Sequence, residues 1–268
     1  MNEKCHTFID TDLFIHRLDI DDPVKLAAQA IFDNHHPSAM SSFSLVEFKG
    51  NYIQDLILLH KKILDSENLK TAGAKIRSTG GRRSWLMLAI LFSWVNDFSP
   101  HPWSEARREL LTYLDAQIII SWEEFKQSVD LIYDDIFCSR ASENPEDDGE
   151  KWNAVIHNCN ENNTKCKIIE FMESFRSDLI KLVDKLNDLD NPLMTDELYR
   201  IREVAQQTIS EKFPWQRNIC RRVGDLLIGL QSKMGQKLIS SNYKEHSQLC
   251  GPLGYSFQEF PLAKIRSK

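Results

Sequence analysis

Long apolar runs are scarce in this chain of 268 residues. The longest covers residues 85–95 and includes Ser93, whereas a membrane-spanning helix needs about 20 apolar residues in succession. We therefore expect no association with a membrane. The opening residues, MNEKCHTFID, lack the apolar stretch and the small-residue cleavage site of a secretory signal, which favours a cytoplasmic location.

Sequence patterns for structural zinc and for nucleotide phosphates are also missing. None of the 6 cysteines belongs to a CxxC pair, which argues against a structural zinc site. The sequence contains neither a Walker phosphate loop nor the aromatic strand motif of an RNA-recognition module. The net charge of -6 does not exclude nucleic acid as a partner, because phosphate contacts depend on local charge.

Charge is unevenly distributed along the chain. Residues 61–83 contain seven basic side chains and two acidic ones. Four of these cations lie in the glycine-containing segment AGAKIRSTGGRRS and are candidates for gripping a nucleic-acid backbone: Lys75, Arg77, Arg82 and Arg83. A solvated surface loop is the simpler alternative. Residues 143–150 read ENPEDDGE, which predicts a second solvated loop or the boundary of an insertion.

Short strand-like runs at the two ends of the chain enclose a mostly helical middle. Strands interleaved with helices predict an α/β fold with a parallel sheet. The predicted strands are residues 7–9, 38–43, 117–120, 237–240 and 255–260.

Capping and periodicity predict the helices. Ser121 and Glu124 fit a capping box, and an apolar stripe continues to Ile136, so we expect a helix over residues 121–138. Apolar steps of three and four predict a long helix over 172–189. A second apolar stripe follows the Asn-Pro break at residues 191 and 192, so the two helices are expected to form an antiparallel hairpin.

Carboxylates follow the first two predicted strands. Asp10 and Asp12 occur in IDTDLF, at the carboxyl end of a strand, where open α/β sheets bind ligands. Either acid also suits a helix cap. Glu47 occurs in SSFSLVEFKG and forms a capping box with Ser44. The same position also points Glu47 back toward the edge that carries Asp10, and the sequence leaves both roles open.

Another acid occurs near the apolar stripe of a helix, in NICRRVGDLLIGLQSKM. Asp225 at the edge of that stripe is costly unless something pairs with it. Its partner is either Arg221 or Arg222, or a metal ion shared with other acids. The strand that follows reads KLISSN and brings Ser240 and Asn242 to its carboxyl end.

In this order, these segments resemble the motifs of the PIN-domain nucleases. IDTDLF resembles the opening strand, SSFSLVEF the small-residue strand with its Glu-bearing helix, and LGYSFQEFP the last strand. GDLLIGLQSKMGQKLISSNYKEH resembles the helix with an internal Asp and the strand after it. The resemblance covers roughly residues 5–64 and 216–260.

The resemblance implies a PIN-like α/β/α sandwich with a central parallel sheet and a large helical insertion. All of residues 1–268 would form one domain. Its core would be about 1–64, 116–138 and 216–262, with helical insertions at about 65–115 and 139–215.

By the same resemblance, Asp10, Glu47 and Asp225 match acidic metal-binding positions, and Asn242 occupies the position often held by a fourth acid. Carboxylates brought together repel one another, and Mg²⁺ or Mn²⁺ relieves that repulsion through hard oxygen ligands. The implied activity is metal-dependent hydrolysis of phosphodiester bonds. RNA is the expected substrate, since many PIN proteins are ribonucleases, and some of them are toxins restrained by a protein partner.

Two further residues are candidates for supporting roles in this site. Ser240 is expected to orient a water molecule or Asn242, and Asp12 is a weaker addition because its side chain can point away from the other acids.

Two other functions stay open. A catalytically silent PIN-like scaffold that binds nucleic acid or a protein is consistent with Asn242 in place of an acid. A haloacid-dehalogenase-type phosphatase would use Asp10 and Asp12 as nucleophile and acid, with Asp225 in its later metal motif. Against this, Phe14 stands where Thr or Val is usual, and residues 226–229 supply no further acid.

Overall fold

The computed structural model describes residues 6–18, 22–97, 102–138, 141, 144–147, 152–153, 166–211, 219–235 and 237–266. The chain divides into two compact units, the first from residues 1–47, 127–142 and 157–268, the second from residues 48–126 and 143–156. The expected division into a PIN-like core with two insertions stays a prediction. Every helix in the described ranges is too short or too polar to cross a bilayer.

The first unit is built on a parallel β-sheet. Among the described residues, five strands join in the order β3-β2-β1-β6-β7, and every neighbouring pair is parallel. The protein is therefore α/β, consistent with a broad α/β/α sandwich. The strand bounds are β1 Thr7–Ile9, β2 Ser38–Ser41, β3 Leu131–Tyr133, β4 Glu146–Asp147, β5 Trp152–Asn153, β6 Lys237–Ser240 and β7 Ser256–Glu259.

The direction of the connections reverses in the middle of this sheet. From β1 the chain moves outward to β2 and β3, then returns to the other side of β1 to form β6 and β7. Ile9 pairs with Ile239, so Asp10 and Ser240 emerge next to each other at the carboxyl ends of β1 and β6. In open α/β sheets the crevice at such a reversal is the usual ligand site.

Helices connect and cover the strands. Their bounds are α1 Thr11–Arg17, α2 Asp22–Asn34, α3 Ser42–Phe48, α4 Gln54–Leu64, α5 Leu69–Arg77, α6 Gly81–Asp97, α7 Trp103–Gln127, α8 Ile168–Ser174, α9 Arg176–Asn187, α10 Asp196–Ile209, α11 Gly224–Gly235, α12 Tyr243–Leu253 and α13 Leu262–Arg266. A π-helical turn covers Lys49–Ile53, and 3-10 turns cover Asn191–Leu193 and Ile219–Arg222.

Helix α11 packs directly on the sheet, against β1, β2 and β6. Its residues Leu226, Leu227 and Leu230 are fully buried, which provides the apolar contact that holds the helix in place. Gln231 adds a polar anchor, because its amide donates to the Tyr133 carbonyl at 3.3 Å and its side-chain oxygen accepts from the Ser41 hydroxyl. These contacts fix where α11 begins, and therefore where Asp225 lies.

The second unit contains α4 to α7 and the antiparallel pair of β4 and β5. The rings of Phe48 and Phe125 stack at 4.2 Å in its core, and the Trp122 indole donates to Asn144 at 2.9 Å. Of the predicted loop at 143–150, only residues 144–147 are described.

Two predicted elements near residue 120 are wrong. Residues 117–120 lie inside α7 and form no strand, because burial of Leu114, Ile118 and Trp122 follows helical spacing. The helix predicted over 121–138 ends at Gln127, and Leu131–Tyr133 forms strand β3. Asp130 accounts for the break, since its carboxylate accepts from the Ser38 amide at 2.7 Å and ties this segment to the sheet.

Three further boundaries differ from the predictions. The helix expected over 172–189 is divided at Phe175 into α8 and α9, and α9 packs against α10 as the predicted pair requires. The strand expected over 38–43 ends at Ser41, whose hydroxyl accepts from the Phe43 amide at 2.9 Å. Helix α3 begins at Ser42, so Ser44 lies within the helix and caps nothing, and the predicted capping box with Glu47 is absent.

The close contact between α11 and β1 predicts a specific cost for a methyl group at Gly235. A Cβ there would lie 2.5 Å from the His6 carbonyl oxygen and 2.7 Å from Phe8 Cδ2. We expect Gly235→Ala to lower the free energy of unfolding by about 2 kcal/mol, as overpacking typically does. Urea unfolding followed by circular dichroism measures this change in the free energy of unfolding.

In the control Gly73→Ala, nothing lies within 4 Å of the new Cβ, and a gain in the free energy of unfolding of up to about 1 kcal/mol is expected. Equal stability of Gly235→Ala and wild type would contradict this packing.

Candidate metal centre

Asp10 is the first carboxylate at the reversal point of the sheet. It follows β1 and caps α1, with one oxygen accepting from the Thr11 amide at 2.7 Å. Its other oxygen accepts from the Ser240 hydroxyl at 2.7 Å. The side chain is 6% exposed, so two neighbouring strands hold this carboxylate in one orientation away from bulk water.

Asp225 reaches the same place from α11. It lies in the first turn of the helix, not in its interior as expected, and its Oδ2 accepts from the Asn242 amide at 2.7 Å. The Asn242 backbone amide donates to the Ser240 hydroxyl oxygen at 2.9 Å. A chain of hydrogen bonds therefore runs from Asp10 through Ser240 and Asn242 to Asp225. Of the two arginines considered as partners, Arg221 has a side chain outside the described part of the chain and Arg222 is exposed. The contacts described for Asp225 are with Asn242 and His246.

His246 lies in the centre of this site and was not a candidate from the sequence. It lies on α12, and its Nε2 is 3.5 Å from Asp10 Oδ2 and 3.7 Å from Asp225 Oδ1. Its Nδ1 lies 3.1 Å from the Tyr255 hydroxyl. His246 follows Asn242 by four residues, about one helical turn, so its spacing from the end of β6 is the signal that could have identified it.

Glu47 joins the site through Thr11 and Gly224. The Thr11 hydroxyl donates to Glu47 Oε2 at 2.9 Å. A Cβ on Gly224 would lie 2.8 Å from Glu47 Oε1 and 2.7 Å from the Phe43 ring. The absence of a side chain at residue 224 thus lets the Glu47 carboxylate lie against the start of α11, beside Asp225.

Asp12 lies at the margin of the site. Its Oδ2 accepts from the Ser241 amide at 2.8 Å and also from the Ser241 hydroxyl. The Ser240 hydroxyl is 3.3 Å from the same oxygen. Among the described residues, Asp12 Oδ1 is buried without a hydrogen-bond partner. Its carboxylate is therefore committed mainly to the loop after β6.

Burial and mutual repulsion raise the pKa values of three of these acids. Burial and the charge of Asp10 raise the pKa of Asp12 to about 7. Burial also raises the pKa of Asp225 to about 6, and Asp10 and Glu245 add to it, while His246 opposes it. The pKa of Glu47 is raised well above its usual range by burial and by the charges of Asp10 and Asp225. These raised pKa values mean that burial, together with the charges of neighbouring acids, outweighs the hydrogen bonds and the His246 imidazole that stabilise the charged carboxylates.

Asp10 and His246 behave as a charged pair within this group. Burial by itself would raise the pKa of Asp10, but its interactions with His246 and Ser240 outweigh burial and lower it. Burial would lower the pKa of His246, but Asp10 and Asp225 outweigh burial and raise it. In the absence of an ion, a proton on His246 thus offsets part of the negative charge.

Two more acids surround Asp225. Burial raises the pKa of Glu197 to about 7, and the charges of Asp225 and Glu245 contribute, with Arg200 opposing them. Glu245 is 9% exposed. Neither acid was a candidate from the sequence, and both extend the negative potential beyond the central group.

The central donor set fits a divalent cation. One oxygen each from Asp10 and Asp225 and a ring nitrogen of His246 lie within 4.8 Å of one another. Two ligands on opposite sides of one ion are about 4.2 Å apart when each bond is about 2.1 Å long, so small shifts bring all three atoms within reach of one ion. His246 Nε2 is buried and, among the described residues, has no hydrogen-bond partner, which leaves it available as a ligand.

The four predicted cations belong to the second unit. Lys75 donates to the Asp65 carbonyl, and Arg83 contacts Asp55 at 3.3 Å and the Gly50 carbonyl at 3.4 Å. These two side chains therefore have structural partners. Arg77 is exposed in the last turn of α5, and the side chain of Arg82 lies outside the described part of the chain.

The raised pKa values predict that stability falls with increasing pH when no metal is present. Asp225 and Asp12 have a pKa of about 6 and about 7 in the folded protein, against 3.8 for an ordinary Asp. Their contributions to the free energy of unfolding are therefore complete below about pH 4 and are lost as the pH rises through their pKa values in the folded protein. The raised pKa of His246 has the same sign.

Urea unfolding in chelator at pH 4 to 8 measures this loss of stability. In Asp225→Asn the loss should shrink by up to about 3 kcal/mol, since one pKa unit corresponds to about 1.4 kcal/mol. Asp33→Asn, at an exposed acid on α2, should behave as wild type. Stability that is constant or rises over this pH range would contradict the predicted repulsion.

Comparisons with protein-family models, with curated proteins and with solved structures found no match. The site is therefore defined by its own geometry: Asp10, Asp225 and His246 at the reversal point of a parallel sheet, with Glu47 and Asp12 beside them.

Proposed function

We propose that this protein is a PIN-like, metal-dependent nuclease that hydrolyses phosphodiester bonds in RNA. The observation that carries the proposal is the convergence of Asp10, Asp225 and His246 within 4.8 Å at the reversal point of the sheet. Glu47, which the sequence motifs also single out, is held in the same group through Thr11. A cytoplasmic location is part of the same proposal.

In this proposal the carboxylates hold the ion. The hydroxyl of Ser240 and the amide of Asn242 position the carboxylates. Asp10 and Asp225 are the principal ligands. Ser240 and Asn242 prevent the two carboxylates from rotating, through hydrogen bonds of 2.7 Å each. Glu47 is a further ligand or orients the attacking water, since its carboxyl borders Gly224. When bound, Mg²⁺ or Mn²⁺ would stabilise the negative charge that develops on the phosphodiester during hydrolysis.

The choice of RNA as the substrate rests on the family resemblance. The second unit supplies one candidate side chain for contact with the RNA backbone. Arg77 is exposed, so its guanidinium can meet a phosphate without breaking an internal contact. Lys75 and Arg83 hold partners within their own unit, and engaging RNA would cost them those contacts.

A catalytically silent scaffold is the second candidate, and the position of His246 favours it. A protonated imidazole 3.5 Å from Asp10 and 3.7 Å from Asp225 offsets carboxylate charge without a metal. The Asn242 amide adds a neutral donor to Asp225. Such a protein would bind RNA or a protein partner and would not cleave.

The nuclease proposal predicts cleavage that depends on both a metal and the two aspartates. End-labelled RNA and single-stranded DNA are incubated with the protein in Mg²⁺, Mn²⁺ or chelator. We expect RNA cleavage with metal, none in chelator, and a loss of at least about 100-fold in Asp10→Asn and in Asp225→Asn, because each removes a charged ligand. Asp33→Asn, at an exposed acid outside the site, is expected to cleave as wild type.

Folding of each variant is checked by circular dichroism before its activity is compared. RNA binding without cleavage by folded wild-type protein in either metal would favour the scaffold. Cleavage that persists in chelator, or in both aspartate variants, would contradict the proposed site.

A further inference from the structure

The Nε2 atom of His246 is an unusual group for a buried position. The side chain is 0% exposed, and Nε2 has no hydrogen-bond partner among the described residues. An unsatisfied buried polar atom is costly. The nearest acceptors are the carboxylate oxygens of Asp10 at 3.5 Å and Asp225 at 3.7 Å, which are beyond ordinary hydrogen-bond distance.

The surroundings hold the ring in this orientation. Nδ1 lies 3.1 Å from the Tyr255 hydroxyl, and the ring of Phe257 lies 5.8 Å from the imidazole with an interplanar angle of 32°. Because the side chain has no exposed surface, it cannot turn toward solvent without disrupting α12 and its packing. Nε2 therefore remains directed at the two carboxylates.

This arrangement needs a hydrogen or a metal ion between Nε2 and the two carboxylates. If Nδ1–H donates to the Tyr255 hydroxyl, Nε2 presents a lone pair to two carboxylates, and acceptor atoms face one another with no hydrogen between them. Either a proton on Nε2 or a metal ion between the three groups resolves the conflict. A histidine that binds a metal through one ring nitrogen usually donates a hydrogen bond from the N–H of the other ring nitrogen to a fixed partner.

We propose that His246 Nε2 is a direct metal ligand and that the site therefore selects a first-row divalent transition ion, represented by Mn²⁺, over Mg²⁺. The inference rests on the metal site of the proposed function and identifies its ion. Imidazole nitrogen binds transition ions well, whereas Mg²⁺ takes oxygen ligands and retains several waters. A set of purely carboxylate and amide ligands, as the sequence motifs imply, would have no such preference for nitrogen-binding ions.

The experiment measures binding of Mn²⁺ and Mg²⁺ to the full-length protein by titration calorimetry, without substrate. We expect a Kd for Mn²⁺ at least about ten-fold below that for Mg²⁺. His246→Gln should raise the Kd for Mn²⁺ at least about ten-fold and change that for Mg²⁺ by less than about three-fold. The control His35→Gln alters a histidine at the end of α2 whose pKa is lowered by burial and by Lys237. It lies at the opposite edge of the sheet and should have no effect.

Pulsed electron paramagnetic resonance of the Mn²⁺ complex of the wild-type protein tests the ligand directly, without relying on a variant that could fail to fold. An imidazole ligand to Mn²⁺ produces modulation from its coordinated nitrogen, and we expect this modulation in wild-type protein and its loss in His246→Gln. Mn²⁺ binding to wild type without nitrogen modulation would overturn the role of His246 while leaving the nuclease proposal intact. Equal affinity for Mn²⁺ and Mg²⁺ would overturn the selectivity. No binding of either ion would overturn both proposals.

Discussion

Electrostatic repulsion among carboxylates withdrawn from water is the interaction on which the site depends. Asp10, Asp12, Glu47 and Asp225 lie at one edge of the sheet, and all but Asp10 have raised pKa values. Among the described residues, His246 is a basic group that lies near both Asp10 and Asp225. A protein with this arrangement must take up protons or a metal ion, and that requirement links its stability, its ligand and its proposed chemistry.

The fold creates this repulsion by its topology. Parallel strands end at the same edge, and the reversal between β1 and β6 leaves a crevice there. Three helices deliver the remaining groups: Glu47 from the last turn of α3, and Asp225 and His246 from the first turns of α11 and α12. Buried anchors elsewhere, such as Gln231 against β2 and β3, set the position of α11. Packing far from the carboxylates thus decides the distances between them.

Sequence reasoning predicts the parts of this structure that local patterns encode. Strands β1 and β6 are confirmed at the predicted residues, and the acids placed at strand ends do lie near one another. Strand β3 was missed because Ile132 fits a helical stripe equally well, and only pairing with β2 distinguishes the two. Residues 117–120 look like a strand because of their three isoleucines, yet α7 buries Ile118 and exposes Ile119 and Ile120. His246 ends the segment GDLLIGLQSKMGQKLISSNYKEH but was not singled out, since its role depends on how α12 leaves the sheet.

The most direct test of this account is a crystal structure of the protein soaked in Mn²⁺, with anomalous diffraction data collected to locate the ion. The account predicts one anomalous peak bounded by Asp10, Asp225 and His246 Nε2, with Glu47 nearby. An empty crevice at saturating Mn²⁺, with the imidazole hydrogen-bonded to the two carboxylates, would contradict the central claim that a divalent cation relieves their repulsion.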